Sequence, residues 1–104
     1  MRVVYHPEFP KDIRRFERDY GKISDGLAKR FRNEVLAAVD KIKGSPESAG
    51  HFVKASSATP IQFRRCNLQS FPFLVLYAVT NELVVFGSVI PSRSDPLTWL
   101  TRFS

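Results

Sequence analysis

Apolar residues recur at helical spacing through the first part of the chain and at strand spacing through the second. Phe9, Ile13, Phe16 and Tyr20 stand four, three and four residues apart, which places them on one stripe of a helix. Pro7 and Pro10 suit its first turn, where a missing N–H costs little, and Gly21 is a natural stop. A longer stripe follows at Ile23, Leu27, Phe31, Val35, Val39 and Ile42, widened by Leu36 and Ala38. Ser24 is placed to cap this second helix, with Asp25 in the first turn. Lys41 and Lys43 favour its C-terminal end before Gly44-Ser45-Pro46. Two amphipathic helices joined by about two residues predict an antiparallel helical hairpin.

The rest of the pattern is β. Arg2–His6 reads as a short strand ended by Pro7, and Gly44–Pro60 shows neither period and reads as a loop. Ile61–Leu68, Phe73–Thr80 and Leu83–Ile90 are short segments rich in β-branched, aromatic and aliphatic residues, and Asn81-Glu82 serves as a two-residue turn. The run Phe73–Val79 is apolar at every position, so it predicts a central strand covered on both faces. Asp95-Pro96 supplies a cap followed by proline, opening a short helical turn through Trp99 and Arg102. The expected architecture is one α+β domain over residues 1–104, in the order β-α-α-β-β-β. A helical hairpin packs on an antiparallel sheet of about four strands, and a helical turn follows.

Composition narrows the chemistry. With 43% hydrophobic residues in 104, the chain holds enough apolar side chains for a core without disulfides or metal. One cysteine, Cys66, and two histidines, His6 and His51, rule out a zinc knuckle or a disulfide scaffold, and no metal or cofactor is expected. No apolar run approaches the roughly 20 residues of a membrane span. The start Met1-Arg2-Val3-Val4-Tyr5-His6-Pro7 does not read as a signal peptide, so a cytoplasmic location is expected. Sixteen Lys and Arg against ten Asp and Glu give a net charge of +6, spread over the helices and strands rather than gathered in a tail. Such a surface suits an anionic partner, whether nucleic acid or an acidic protein.

Several residues carry candidate chemistry. Arg64, Arg65 and Arg93 offer guanidinium forks that match phosphate oxygens. Neighbours on a strand point to opposite faces, so at most one of Arg64 and Arg65 faces a given site. Arg93 follows the last strand in a Pro/Ser-rich loop, where functional residues gather. His51 and Lys54 lie in the middle loop, and His51 is a better-placed proton carrier than His6 beside Pro7. Trp99 either stacks on a base or packs against the core, Tyr77 reads as a core ring and Cys66 as a buried thiol. No complete catalytic set emerges from these residues.

The order and spacing of several of these segments resemble the RelE/ParE superfamily of toxins, the plasmid-stabilisation proteins of type II toxin–antitoxin modules. The helical part shows Arg30-Phe31, Glu34-Val35, Ile42 and then Pro46. Phe63-Arg64-Arg65, Leu68 and Phe71-Pro72-Phe73-Leu74-Val75-Leu76-Tyr77 resemble the family's arginine-bearing strand and the strand after it. Asp95-Pro96-Leu97-Thr98-Trp99-Leu100-Thr101-Arg102 resembles the family's closing motif, and the similarity runs over nearly the whole chain. It implies a toxin neutralised by a cognate acidic antitoxin, with Arg65, Arg93, Trp99 and Arg102 as the residues that bind target or antitoxin. Relatives often carry His where Pro91 stands and Arg where Ser94 stands, and the RNA-cleaving ones usually have a late Tyr or His that this chain lacks. The resemblance therefore implies inhibition of DNA gyrase first. The alternatives are a ribosome-dependent mRNA endonuclease, with Arg64, Arg65, Arg93, His51 and Lys54 as its candidates, or a member that only binds antitoxin.

Overall fold

In the computed structural model, which describes residues 1–55 and 60–103, β1 (Arg2–Tyr5) leads into α1 (Phe9–Gly21) and α2 (Asp25–Gly44). Four strands come next, β2 (His51–Ala55), β3 (Gln62–Asn67), β4 (Phe73–Val79) and β5 (Leu83–Pro91), followed by a 3₁₀ helix over Pro96–Phe103. The strands form one sheet in the order β1-β5-β4-β3-β2, with β1 parallel to β5 and every other pair antiparallel.

The expected α+β architecture is present, with a helical hairpin on a sheet of consecutive antiparallel hairpins. The sheet has five strands rather than four, and it is mixed because β1 enters beside β5 in parallel. The extra strand, β2, lies inside the stretch expected to be a loop, whose residues 56–59 fall outside the described residues. Its five residues, His-Phe-Val-Lys-Ala, show no clean alternation, and pairing with β3 is what makes them a strand.

Strand β4 is buried along its whole length, and its alternate residues feed two cores. On one face Phe73, Val75, Tyr77 and Val79 pack with Phe16, Phe31, Val35 and Ile42 of the hairpin. The aromatic content concentrates here, with the Phe16 and Phe73 ring centroids 4.5 Å apart and the Phe31 ring edge-on to Phe71. On the other face Leu74 and Leu76 join Ile90 under Val53, Trp99, Leu100 and Phe103. The 3₁₀ helix thus covers the side of the sheet that the hairpin leaves open. Two residues of the expected α2 stripe do not join the core. Ile23 precedes the helix and is 73% exposed, and Leu36 remains 43% exposed.

Local signals end the helices as expected. The Ser24 hydroxyl accepts from the Leu27 N–H, and Asp95 Oδ1 accepts from the Leu97 N–H. At the start of α1 no side chain of the cap residue Glu8 serves. Instead His6 Nδ1 accepts from the Glu8 N–H at 3.0 Å, giving that histidine a structural partner.

One edge needs a different solution. Strand β1 pairs with β5 only over Leu83–Phe86, so beyond Phe86 the outer edge of β5 has no neighbouring strand among the described residues. Asp12 of α1 and Arg102 of the 3₁₀ helix fill that gap. Asp12 Oδ2 accepts from the Val89 N–H at 3.0 Å, while Arg102 Nη1 donates to the Gly87 carbonyl at 3.0 Å. The two side chains also pair with each other at 2.6 and 3.3 Å, with only 10% and 18% of their surfaces exposed. Gly87 permits this closure, since a Cβ there would collide with the Phe103 ring.

Removing one partner of such a pair leaves a buried charge and an orphaned strand amide. Asp12→Ala should therefore lower unfolding free energy by about 3 kcal/mol. In a double-mutant cycle with Arg102→Met, chemical denaturation should return a coupling of at least about 1 kcal/mol. Additive losses would show that the two side chains act separately.

Candidate functional site

Two surfaces stand out, one on each side of the sheet, and only the second holds candidate residues singled out from sequence. On the hairpin side, α1, α2 and the end of β1 line a groove of about 480 Å³. Its wall is apolar, built from Tyr5, Phe9, Ile13, Leu36 and Val39, and Arg14 and Arg32 stand at its rim. Tyr5 and Leu36 are 45% and 43% exposed, so this apolar wall is open to a partner. Arg32 leans toward Glu17 at 3.6 Å, while among the described residues Arg14 has no carboxylate partner.

The opposite side gathers three of the residues singled out from sequence. His51 is the register partner of Arg65 across β2 and β3, which puts their side chains on one face, with Cβ atoms about 5 Å apart. Arg65 in turn pairs with Leu76 of β4, whose side chain lies in the core under the 3₁₀ helix, so this is the face away from the hairpin. An irregularity between Phe52 and Lys54 shifts the register, so Lys54 comes opposite Phe63, two residues from Arg65. Without that bulge a spacing of three would send His51 and Lys54 to opposite faces. The sheet thus presents an imidazole, an ammonium and a guanidinium together, a set able to hold phosphate oxygens.

Arg64 faces the other way and is engaged in the fold. Its Nη2 donates to the Gly50 carbonyl at 2.6 Å and its Nη1 to Gln62 Oε1 at 3.4 Å. Nearby, the Tyr77 hydroxyl donates to the Pro46 carbonyl at 2.8 Å and the Cys66 thiol to the Ala49 carbonyl at 3.7 Å. Three sheet side chains thereby hold the carbonyls of the segment leaving α2. Gly50 must be small, because a Cβ would press on the Arg65 backbone and the Tyr77 hydroxyl.

The remaining candidates lie apart from both groups. Arg93 is exposed in the loop after β5, where the Ser92 N–H donates to the Pro72 carbonyl. Arg102 is committed to Asp12, and its guanidinium carbon stands 5.1 Å from the Trp99 ring centroid. Trp99 is half-buried against Leu74, Leu76 and Ile90, as a packing residue would be. Burial pushes the Cys66 thiol above its ordinary 9.0, with Lys41 opposing the rise. Burial also raises Tyr77 above 10.0, against its hydrogen bond and charge interaction with Arg64. Two amphipathic helices over one short sheet imply an apolar groove at the hairpin or sheet, but the residues that line it and its arginine rim were not singled out from sequence. The signal was Leu36, which fits the α2 stripe yet lies to one side of its centre line.

No protein-family model and no curated protein matches the sequence. Among solved structures, a chain of the "Chromosomal ParDE TA system from P. aeruginosa" superposes with a TM-score of 0.71. The match has 12% identity and covers 88% of this chain and 95% of that one. The chain therefore shares the α+β fold of that chain, here a helical hairpin on a five-stranded sheet, in line with the fold class expected from sequence.

The two neighbouring arginines should behave differently. Arg64→Ala removes a charge-assisted bond to a part-buried carbonyl and should cost about 2 kcal/mol in denaturant unfolding. Arg65→Ala should change stability by no more than about 0.5 kcal/mol. Equal losses would contradict the assignment of faces.

Raised pKa values in the folded state mean that the unfolded chain ionises first as pH climbs. The stabilisation from neutral Cys66 and Tyr77 is complete below pH 9.0 and is lost as pH rises through 9.0 and then 10.0. Melting temperature should fall steadily above pH 9. Native Cys66 should react slowly with a thiol-specific disulfide reagent at pH 8 and rapidly once the protein is unfolded.

Proposed function

We propose that this chain is the toxin of a type II toxin–antitoxin module, held inactive by an acidic antitoxin, and that it acts by binding DNA gyrase. The observation that carries this reading is the fold shared with a chain of a ParDE toxin–antitoxin system across nearly the full length of both. The net charge of +6 and the groove between α1 and α2 support an acidic partner. An antitoxin segment folding as an amphipathic helix places apolar side chains against Tyr5, Ile13 and Leu36 and carboxylates against Arg14 and Arg32. Arg93 and Arg65, both outside the ion pairs found among the described residues, are the residues proposed to meet the target. The site of action is the cytoplasm, where gyrase works.

Binding is preferred to cleavage because the proton carriers are sparse. Attack of a 2′-hydroxyl on its phosphodiester needs a base, an acid for the leaving oxygen and cations for the phosphorane charge. Arg65 and Lys54 supply cations, while His51 is the one imidazole beside them. Proton transfer help is worth about 10² to 10⁴ in rate, so cations alone leave cleavage slow. The convergence of His51, Lys54 and Arg65 on one face is the observation that favours the second reading, a ribosome-dependent mRNA endonuclease. A chain that retains antitoxin binding alone is the third.

Purified protein assayed side by side for inhibition of gyrase supercoiling and for mRNA cleavage on translating ribosomes tests the choice. Supercoiling should be blocked and mRNA left intact. Arg93→Ala should weaken the block without changing melting temperature, and His51→Ala with Lys54→Ala should matter little. Ribosome-bound mRNA cut by the native chain and spared by the His51 variant would establish the nuclease instead. Inertness in both assays, with antitoxin still bound, would leave the third reading.

A further inference from the structure

The solvent side of α1 carries a feature that the β2–β3 face does not use and that shares only Arg14 with the groove rim. Lys11, Arg14, Arg15, Arg18 and Lys22 are all exposed. At 3.6 residues per turn they fall within an arc of about 100° on the side away from the buried Phe9 and Phe16. The stripe runs about 16 Å from Lys11 to Lys22. Glu8 and Asp19 are its only carboxylates among the described residues. They lie on one flank, 3.2 Å from Lys11 and 3.9 Å from Lys22. The other two acids of α1 are turned away, Asp12 to Arg102 and Glu17 to Arg32. Among the described residues, Arg14, Arg15 and Arg18 therefore stand together without a carboxylate partner, and Arg15 is braced 4.9 Å from the Phe16 ring centroid.

We propose that this stripe is a binding surface for the phosphate backbone of double-stranded DNA. The spacing fits, since about 16 Å along a B-form axis passes roughly five phosphates of one strand at 3.4 Å each. The stripe holds no apolar residue, whereas the centre of a protein interface is depleted of charge and enriched in aromatic side chains. It has no exposed aromatic ring on which an unpaired base would stack, and no neutral hydrogen-bonding side chain to meet the 2′-hydroxyls of duplex RNA. What is left is point charge and guanidinium fork on a rigid helix, chemistry that reads a duplex backbone without reading sequence. The surface stands independently of the gyrase reading, because it needs no other protein.

Fluorescence anisotropy with a labelled 20-base-pair DNA duplex, titrated with the full-length protein between 50 and 200 mM NaCl, tests the proposal. The logarithm of affinity should fall against the logarithm of salt with a slope of about −3 to −4.5, corresponding to three to five phosphates. Arg15→Gln with Arg18→Gln should reduce the slope by about two while the circular dichroism spectrum stays unchanged. Lys41→Gln with Lys43→Gln, which removes the same charge from the far end of α2, should leave the slope within about half a unit. Equal effects of the two double variants would mean diffuse attraction to net charge and would overturn the proposal. So would tighter binding of duplex RNA, of single-stranded DNA or of polyglutamate at the same salt, or an absence of binding at 50 mM.

Discussion

The structure turns on the unpaired stretch of β5. A strand buried on both faces has no water to satisfy its peptide groups, and β1 is too short to reach past Phe86. The carboxylate of Asp12 and the guanidinium of Arg102 stand in for the missing residues of β1, taking the Val89 N–H and the Gly87 carbonyl. Because Asp12 comes from the hairpin layer and Arg102 from the 3₁₀ helix, the same pair pins both coverings of the sheet to its edge. The tip of the Phe103 ring can then approach Gly87, and Leu74, Leu76 and Ile90 have a roof. Arg102 thus serves the fold, whatever else it meets.

Once both faces of the sheet are covered, functional groups are left at the margins. The hairpin keeps a groove where α1 and α2 separate beside Tyr5. The far edge, β2 on β3, sets out His51, Lys54 and Arg65. The outer side of α1 keeps its cations. These three surfaces do not overlap, apart from Arg14, which stands at the groove rim and in the cationic stripe. A partner seated in the groove therefore leaves the β2–β3 face open, and contacts on opposite sides of the sheet can be made separately.

How much of this was legible in the sequence depended on the range of the interaction. The apolar stripes of both helices, the Ser24 and Asp95 caps and the doubly buried β4 follow from residues within a few positions of one another, and each is present save for Ile23 and Leu36 of the α2 stripe. Strand β2 was not legible, because nothing in His-Phe-Val-Lys-Ala forces an extended chain until β3 offers its edge. The shared face of His51 and Lys54 was hidden for the same reason. It needs a bulge whose position is set by pairing and not by composition.

The sequence alone determined the layers, since hydrophobic period and cap chemistry act locally and survive any later packing choice. It also determined the positive charge and the absence of a cysteine or histidine cluster that would hold a metal. Tertiary structure alone decided which arginine does what. Arg64 and Arg65 are chemically identical neighbours, and only the register of β3 against β4 turned one inward to Gly50 and the other outward beside His51. The sequence motifs set Arg102 among the residues that bind target or antitoxin, and only the fold brings Asp12, 90 residues earlier in the chain, next to it. Such assignments depend on contacts between residues far apart in the chain, and no local pattern encodes them.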